Sequence, residues 1–176
     1  MGVHPVLRLG DPRLRQPAAA VAEEAFGSDD LVELIGDLRD TMAARDGAGL
    51  AAPQIGVPLR VVIYGITANP RYPEAPPIPE TVLINPVITP LNGGRQRGWE
   101  GCLSVPGLRG LVERWQRIHL DWRSADGDSH RRLLEGFEAR VVQHECDHLD
   151  GVLFPDRLCD RQAFGFSDEL RAAGLL

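Results

Sequence analysis

The chain has 176 residues, 43% of them hydrophobic and 25% charged, a length and balance that fit one globular domain over 1–176 with a core of its own. A net charge of −6 argues against a general nucleic-acid binder, which carries a basic face. No apolar stretch is long enough to cross a membrane, and no charged-then-apolar leader precedes the first element. Gly2 stands where a myristoylated glycine would, but Val6 occupies the position that signal gives to Ser or Thr. Three cysteines without paired spacing fit a reducing compartment, so the cytoplasm is expected; a monomer is the separate expectation for the assembly, on which the sequence itself is silent.

In chain order, an extended, proline-punctuated start leads to Ser28, which can cap a helix whose first turn holds Asp29 and Asp30. Leu31, Leu34, Ile35, Leu38 and Met42 then fall on one apolar face, and Asp46-Gly47 ends the helix. Leu59 to Ile66 reads as a buried strand. Asn69 to Pro79 holds five prolines and reads as a surface loop. Thr81 to Thr89 reads as a strand broken at Pro86. Ile118, Leu120 and Trp122 alternate with polar neighbours, as in a half-exposed strand that turns at 125–128 toward Arg132-Leu133-Leu134. A second long helix runs from Gly136 to Asp150-Gly151, enclosed on most sides, and a short tail with a possible cap at Ser167 follows.

The second helix carries His144-Glu145-Cys146-Asp147-His148. A helix turns about 100° per residue, so two histidines four apart sit about 40° from one another, one turn apart. They can bind one ion from one face, and Glu145 lies beside them as a candidate general base. Unprotonated imidazoles in an enclosed helix need partners, and a metal is a natural one. Cys146 lies about 200° around from His144 and faces away, which suits a small buried hydrophobe. Two histidines leave a third ligand to find. Cys102, in Glu100-Gly101-Cys102-Leu103-Ser104, offers a thiolate on a loop that glycine lets approach closely. Glu169 offers the downstream carboxylate that a zinc endopeptidase would use. A third segment, Gly47 to Gly56, lacks the Lys-Ser/Thr ending of a phosphate loop. Its glycines would let a peptide approach the backbone, and the Gln54 amide could donate to developing negative charge.

Together, Gly47 to Gln54, Glu100 to Ser104 and Gln143 to Leu149 resemble, in order, the three signatures of the peptide deformylases. These hydrolases remove the formyl group from the initiator methionine of new bacterial and organellar proteins. The resemblance implies an α+β fold, with antiparallel sheets surrounding the central histidine helix. It implies that Cys102, His144 and His148 bind one divalent metal, with Fe(II) native and Zn, Ni or Co as substitutes. Glu145 would then be general base and acid, and Gln54 with the Leu103 N–H would hold the oxyanion. Ala48, Gly49 and Gly101 would pair with an N-formylmethionyl peptide as an added strand. Gly98 and Val141 would border the methionine pocket, and Glu100 with Arg109 would support the cysteine loop, an ion pair between them being one way to do so. A transient ribosome contact is also implied. Ala48 stands where many relatives carry Ile or Val, and Gly98 is small for a pocket wall, so the shape of the pocket departs from the common one. The proline-rich loop and short tail suggest a subclass without the long terminal helix.

Overall fold

A computed structural model describes residues 2–67 and 75–176. Five strands form one antiparallel sheet in the order β1 (Gly49–Ala51), β2 (Val61–Ile66), β3 (Ile78–Pro90), β6 (Arg117–Arg123) and β7 (Ser129–Glu135). A second sheet of three is ordered β4 (Arg95–Cys102), β5 (Val105–Trp115) and β8 (Phe164–Phe166). Helix α1 spans Asp29–Ala44, α2 Gly136–Leu149 and α3 Ser167–Ala172. The antiparallel α+β architecture matches expectation.

The layers follow from side-chain alternation along β2. Val61 and Ile63 pack with the α1 residues Leu31, Leu34, Ile35 and Leu38 on one side of the sheet. Val62 and Tyr64 pack with Val142, Cys146 and Leu149 of α2 on the other. A strand covered on both faces reads as an unbroken apolar run, which is why 59–66 is conspicuous in the sequence. Burying each such Val, Leu or Ile contributes roughly 1.5–3 kcal/mol. Helix α2 therefore lies between the two sheets, and from Val141 to Leu149 every residue is buried.

Local chemistry fixes the ends. Ser28 Oγ accepts the Leu31 N–H at 3.3 Å, an N-cap for α1. Beyond α2, Gly151 adopts φ +71, and a Cβ there would lie 2.5 Å from the Arg15 carbonyl oxygen, so only glycine fits. The expected break at Pro86 is a bulge inside β3, where the register with β6 shifts between Ile84 and Val87. Asn85 sits there at φ 52 and its amide bonds both the N–H and the carbonyl of Val21, at 2.8 and 2.9 Å. Of the proline-rich segment, 69–74 lie outside the described residues, and Ile78 and Pro79 belong to β3 rather than to a loop. Ser167 is the first residue of α3, not its cap, and donates to the Gly107 carbonyl at 3.0 Å.

Candidate metal centre

Three elements meet at one end of α2. The helix brings His144, Glu145 and His148, β4 ends on Cys102, and a single 3-10 turn, Ala52–Ile55, brings Gln54. Cys102 Sγ lies 3.2 Å from His148 Nε2, and one ligand atom from each of Cys102, His144 and His148 lies within 4.8 Å of the others. All three residues are buried. A thiolate and two imidazoles converging in a buried space form a donor set suited to zinc or ferrous iron. Burial pushes the Cys102 thiol up, but the adjoining imidazoles outweigh it and hold the thiol well below its ordinary value. The residues present fit a divalent ion.

Behind the ligands runs a buried chain of charges. His144 Nδ1 lies 2.9 Å from Glu100 Oε2, an arrangement that turns Nε2 toward the thiolate. Arg114 grips both oxygens of Glu100 at 2.9 Å and reaches Asp147 Oδ2 at 2.5 Å. Arg140 adds a third cationic contact to Glu100, at 2.8 Å, and Arg157 pairs with Asp147 at 2.7 Å. Burial alone would raise the Glu100 carboxyl, but its bonds to His144 and Arg114 drive it far below the usual carboxylate range.

The anticipated partner Arg109 is not what fills these positions. Glu100 faces Gly110 across the β4–β5 ladder, so Gly110, Val112 and Arg114 share its face, and Arg109 points to the other. There its guanidinium lies against Gly101, where a Cβ would come within 2.9 Å of Nε.

Glu145 is buried, and its Oε2 finds no hydrogen-bond partner among the described residues. Burial lifts its carboxyl above the ordinary value, which suits a proton acceptor working near neutrality. The carboxylate occupies the space in front of Gly49, where a Cβ would lie 2.5 Å from Oε1. The Ala51 N–H donates to Gln54 Oε1 at 2.9 Å. That bond fixes the amide orientation, so Nε2 faces Ser104 Oγ at 3.1 Å and Cys102 Sγ at 3.6 Å.

A cleft opens beside this cluster, lined by Ala48, Gly49, Gly101, Leu103, Phe137 and Val141 and, among the polar groups above, by Gln54, Glu100, Cys102, His144 and Glu145. Gly98 does not line it. Arg140 lies over that glycine, its Cζ 2.8 Å from where a Cβ would be, and itself borders the cleft. Glu169 is exposed on α3, outside the Cys102, His144 and His148 group. Arg114 and Arg140 are the site residues that sequence reading missed, and Asp147 was read only as part of the histidine motif, with no role. The one signal for the two arginines was their place in segments that otherwise carry apolar residues.

The polypeptide deformylase family model matches residues 3–163. The chain is 60% identical to peptide deformylase 1 of Prochlorococcus marinus, over 100% of this chain and 91% of that protein. It is 55% identical to peptide deformylase 1 of Nitrosomonas europaea, over 96% and 94%. Among solved structures, it is similar to the class I type b peptide deformylase of Acinetobacter baumannii bound to Met-Ala-Ser, with a TM-score of 0.86 and 40% identity, covering 89% of this chain and 98% of that one. It is also similar to a Synechococcus elongatus peptide deformylase in complex with actinonin, with a TM-score of 0.78 and 36% identity, covering 97% and 86%.

Proposed function

The chain belongs to the polypeptide deformylase family, and from that premise we propose how its residues divide the work of removing the N-formyl group from nascent peptides. Cys102, His144 and His148 hold one divalent ion, ferrous iron by preference, with zinc, nickel or cobalt as substitutes. When bound, that ion acidifies a water and polarises the formyl oxygen.

Glu145 accepts the proton of the attacking water, a role supported by its buried Oε2, which finds no hydrogen-bond partner among the described residues. The Gln54 amide and the Leu103 N–H donate to the oxygen that gains charge, and each such donor is worth on the order of 10²–10³ in rate. Glu145 then hands its proton to the leaving amine nitrogen, the C–N bond breaks and formate departs. Ala48, Gly49 and Gly101 pair with the peptide backbone, a mode that tolerates varied sequence. Phe137, Val141 and Arg140 surround the methionine side chain. The reaction takes place in the cytoplasm on chains leaving the ribosome.

The observation that carries this reading is the buried convergence of thiolate and imidazoles beside a buried carboxylate with one oxygen that finds no partner among the described residues. The test is formate release from formyl-Met-Ala-Ser by enzyme purified without oxygen, with metal measured on the same sample. Glu145→Gln should retain the metal and lose about 10²–10⁴ in rate. A fully metallated wild-type enzyme that releases no formate would overturn the reading.

A further inference from the structure

A second cleft adjoins the first, sharing Cys102 and Leu103 with it, and four arginines line it: Arg8, Arg45, Arg109 and Arg171. Among the described residues no carboxylate lines this cleft, although the chain as a whole carries a net charge of −6. Leu108 and Pro106 supply apolar surface between the guanidinium groups.

Each arginine arrives by a definite route. The extended N-terminal segment is pinned by Leu7 N to Gln54 O and Leu9 N to Ser104 O, both at 2.8 Å, which lays Arg8 across the mouth. Arg45 is the C-cap residue of α1, Arg109 comes from β5 and Arg171 from α3. Arg171 is partly neutralised by Asp168 at 3.0 Å. Asp46 follows Arg45 in the chain and does not line the cleft. Arg8 and Arg45 are exposed and make no ion pair among the described residues.

The direction of the substrate leads here. The scissile formyl group must sit by Glu145, whose carboxylate lies against Gly49. A peptide pairing with β1 has two ways to continue from that point. Toward Leu50, Ala51 and Ala52 the backbone runs into the core, where all three residues are fully buried. The other way passes Ala48 and Gly47 to Arg45. Gly47 packs against Leu103, a Cβ there meeting Leu103 Cδ1 at 3.2 Å, and Leu103 and Arg45 both line the arginine cleft, so that path borders it, although Gly47 itself lines a separate cleft with Asp46 and Glu80.

Resting on the deformylase reading above, we propose that this cleft receives the nascent chain downstream of its first three residues, and that its arginines favour substrates with acidic side chains there. An RNA phosphate backbone shares the charge chemistry. The cleft's continuity with the catalytic cleft and its interleaved apolar surface favour a peptide.

The experiment compares kcat/KM of the iron-loaded enzyme for formyl-Met-Ala-Ser extended by Glu-Glu-Ala, by Ala-Ala-Ala or by Lys-Lys-Ala. The glutamate series should exceed the lysine series by about 3- to 10-fold at low salt, as expected for a few exposed charge pairs. The difference should lie mainly in KM and shrink as ionic strength rises. In the double variant Arg8→Ala, Arg45→Ala the ratio should fall toward one, and the double variant Arg8→Glu, Arg45→Glu, which removes twice as much positive charge, should reverse the order. Equal rates for the three series, or a ratio that survives both variants, would overturn the proposal. So would a flat peptide series together with arginine-dependent, salt-sensitive binding of a single-stranded RNA oligonucleotide, which would make the cleft an RNA contact. Failure of all three peptides would instead defeat the deformylase reading itself.

Discussion

The two sheets solve opposite problems. The five-stranded sheet surrounds itself with aliphatic side chains, Val61 and Ile63 toward α1 and Val62, Ile118, Leu120 and Leu134 toward α2. The three-stranded sheet presents to the same helix a buried carboxylate, Glu100, and a buried guanidinium, Arg114, which meet Arg140, His144 and Asp147. A buried charge network is weak evidence for stability, because desolvation offsets most of its Coulomb gain. Its presence beside the metal ligands has another explanation. It fixes the rotation and tautomer of His144 through Glu100. One sheet supplies folding free energy, and the other spends some of it on geometry.

The sharpest way to break that distinction is Arg114→Leu. It leaves Glu100 with Arg140 and His144, and Asp147 with Arg157, so neither acid is stripped bare. The loss should fall at the low end of the range for a broken buried pair, about 3 kcal/mol in chemical denaturation, and metal affinity should fall with it. Leu120→Ala, at a fully buried position of β6, should cost about 2–5 kcal/mol through cavity formation. Metal content of the folded variant should stay at the wild-type level. Comparable stability losses with divergent metal affinities would separate the two sheets. Equal metal loss in both would mean that the apolar sheet positions the ligands too.

Glu100→Gln is the finer probe of the same network. It keeps the shape and one acceptor oxygen but removes the charge behind His144. A change of this kind behind a ligating histidine costs 10- to 100-fold in metal affinity, measurable by competition with a chelator. Unchanged affinity would leave Glu100 a structural partner of Arg114 and Arg140 without a role behind His144.

The same contrast decides what could be read in the sequence. Strands β2, β6 and β7 and both long helices are visible because their apolar periodicity is local. The histidine pair and Cys102 are visible because metal ligands are rare residue types at characteristic spacing. Strands β4 and β5 passed unrecognised, since Arg95–Trp115 mixes charge, glycine and apolar residues without a clean alternation. The choice between Arg109 and Arg114 as partner of Glu100 could not be made either. It depends on which residue stands opposite Glu100 in the hairpin, and a slip of one position would exchange the faces. Arg140 escaped for a related reason. It occupies the space left by Gly98, 42 positions earlier, a complementarity that only the packed structure brings together. Local patterns therefore gave the ligands, and long-range register gave the groups that orient them.

The smallest expected effect tests whether the aliphatic half is as independent of the chemistry as this division requires. Ser28 caps α1 through a bond of 3.3 Å to Leu31 N, while its own hydroxyl donates to Ala25 O at 2.7 Å. Ser28→Ala removes both bonds at a partly exposed site, and an N-cap of that length should cost about 0.5–1 kcal/mol. In a domain of this size that corresponds to a drop of roughly 2–4 °C or less in Tm. Helix α1 packs on the face of the five-stranded sheet away from α2, so formate release per metal ion should not change. A fall in kcat larger than the stability loss accounts for would show that α1 acts on the cleft through Asp46 and Gly47, which join it to β1. The separation between a stabilising sheet and a geometric one would then fail at that junction.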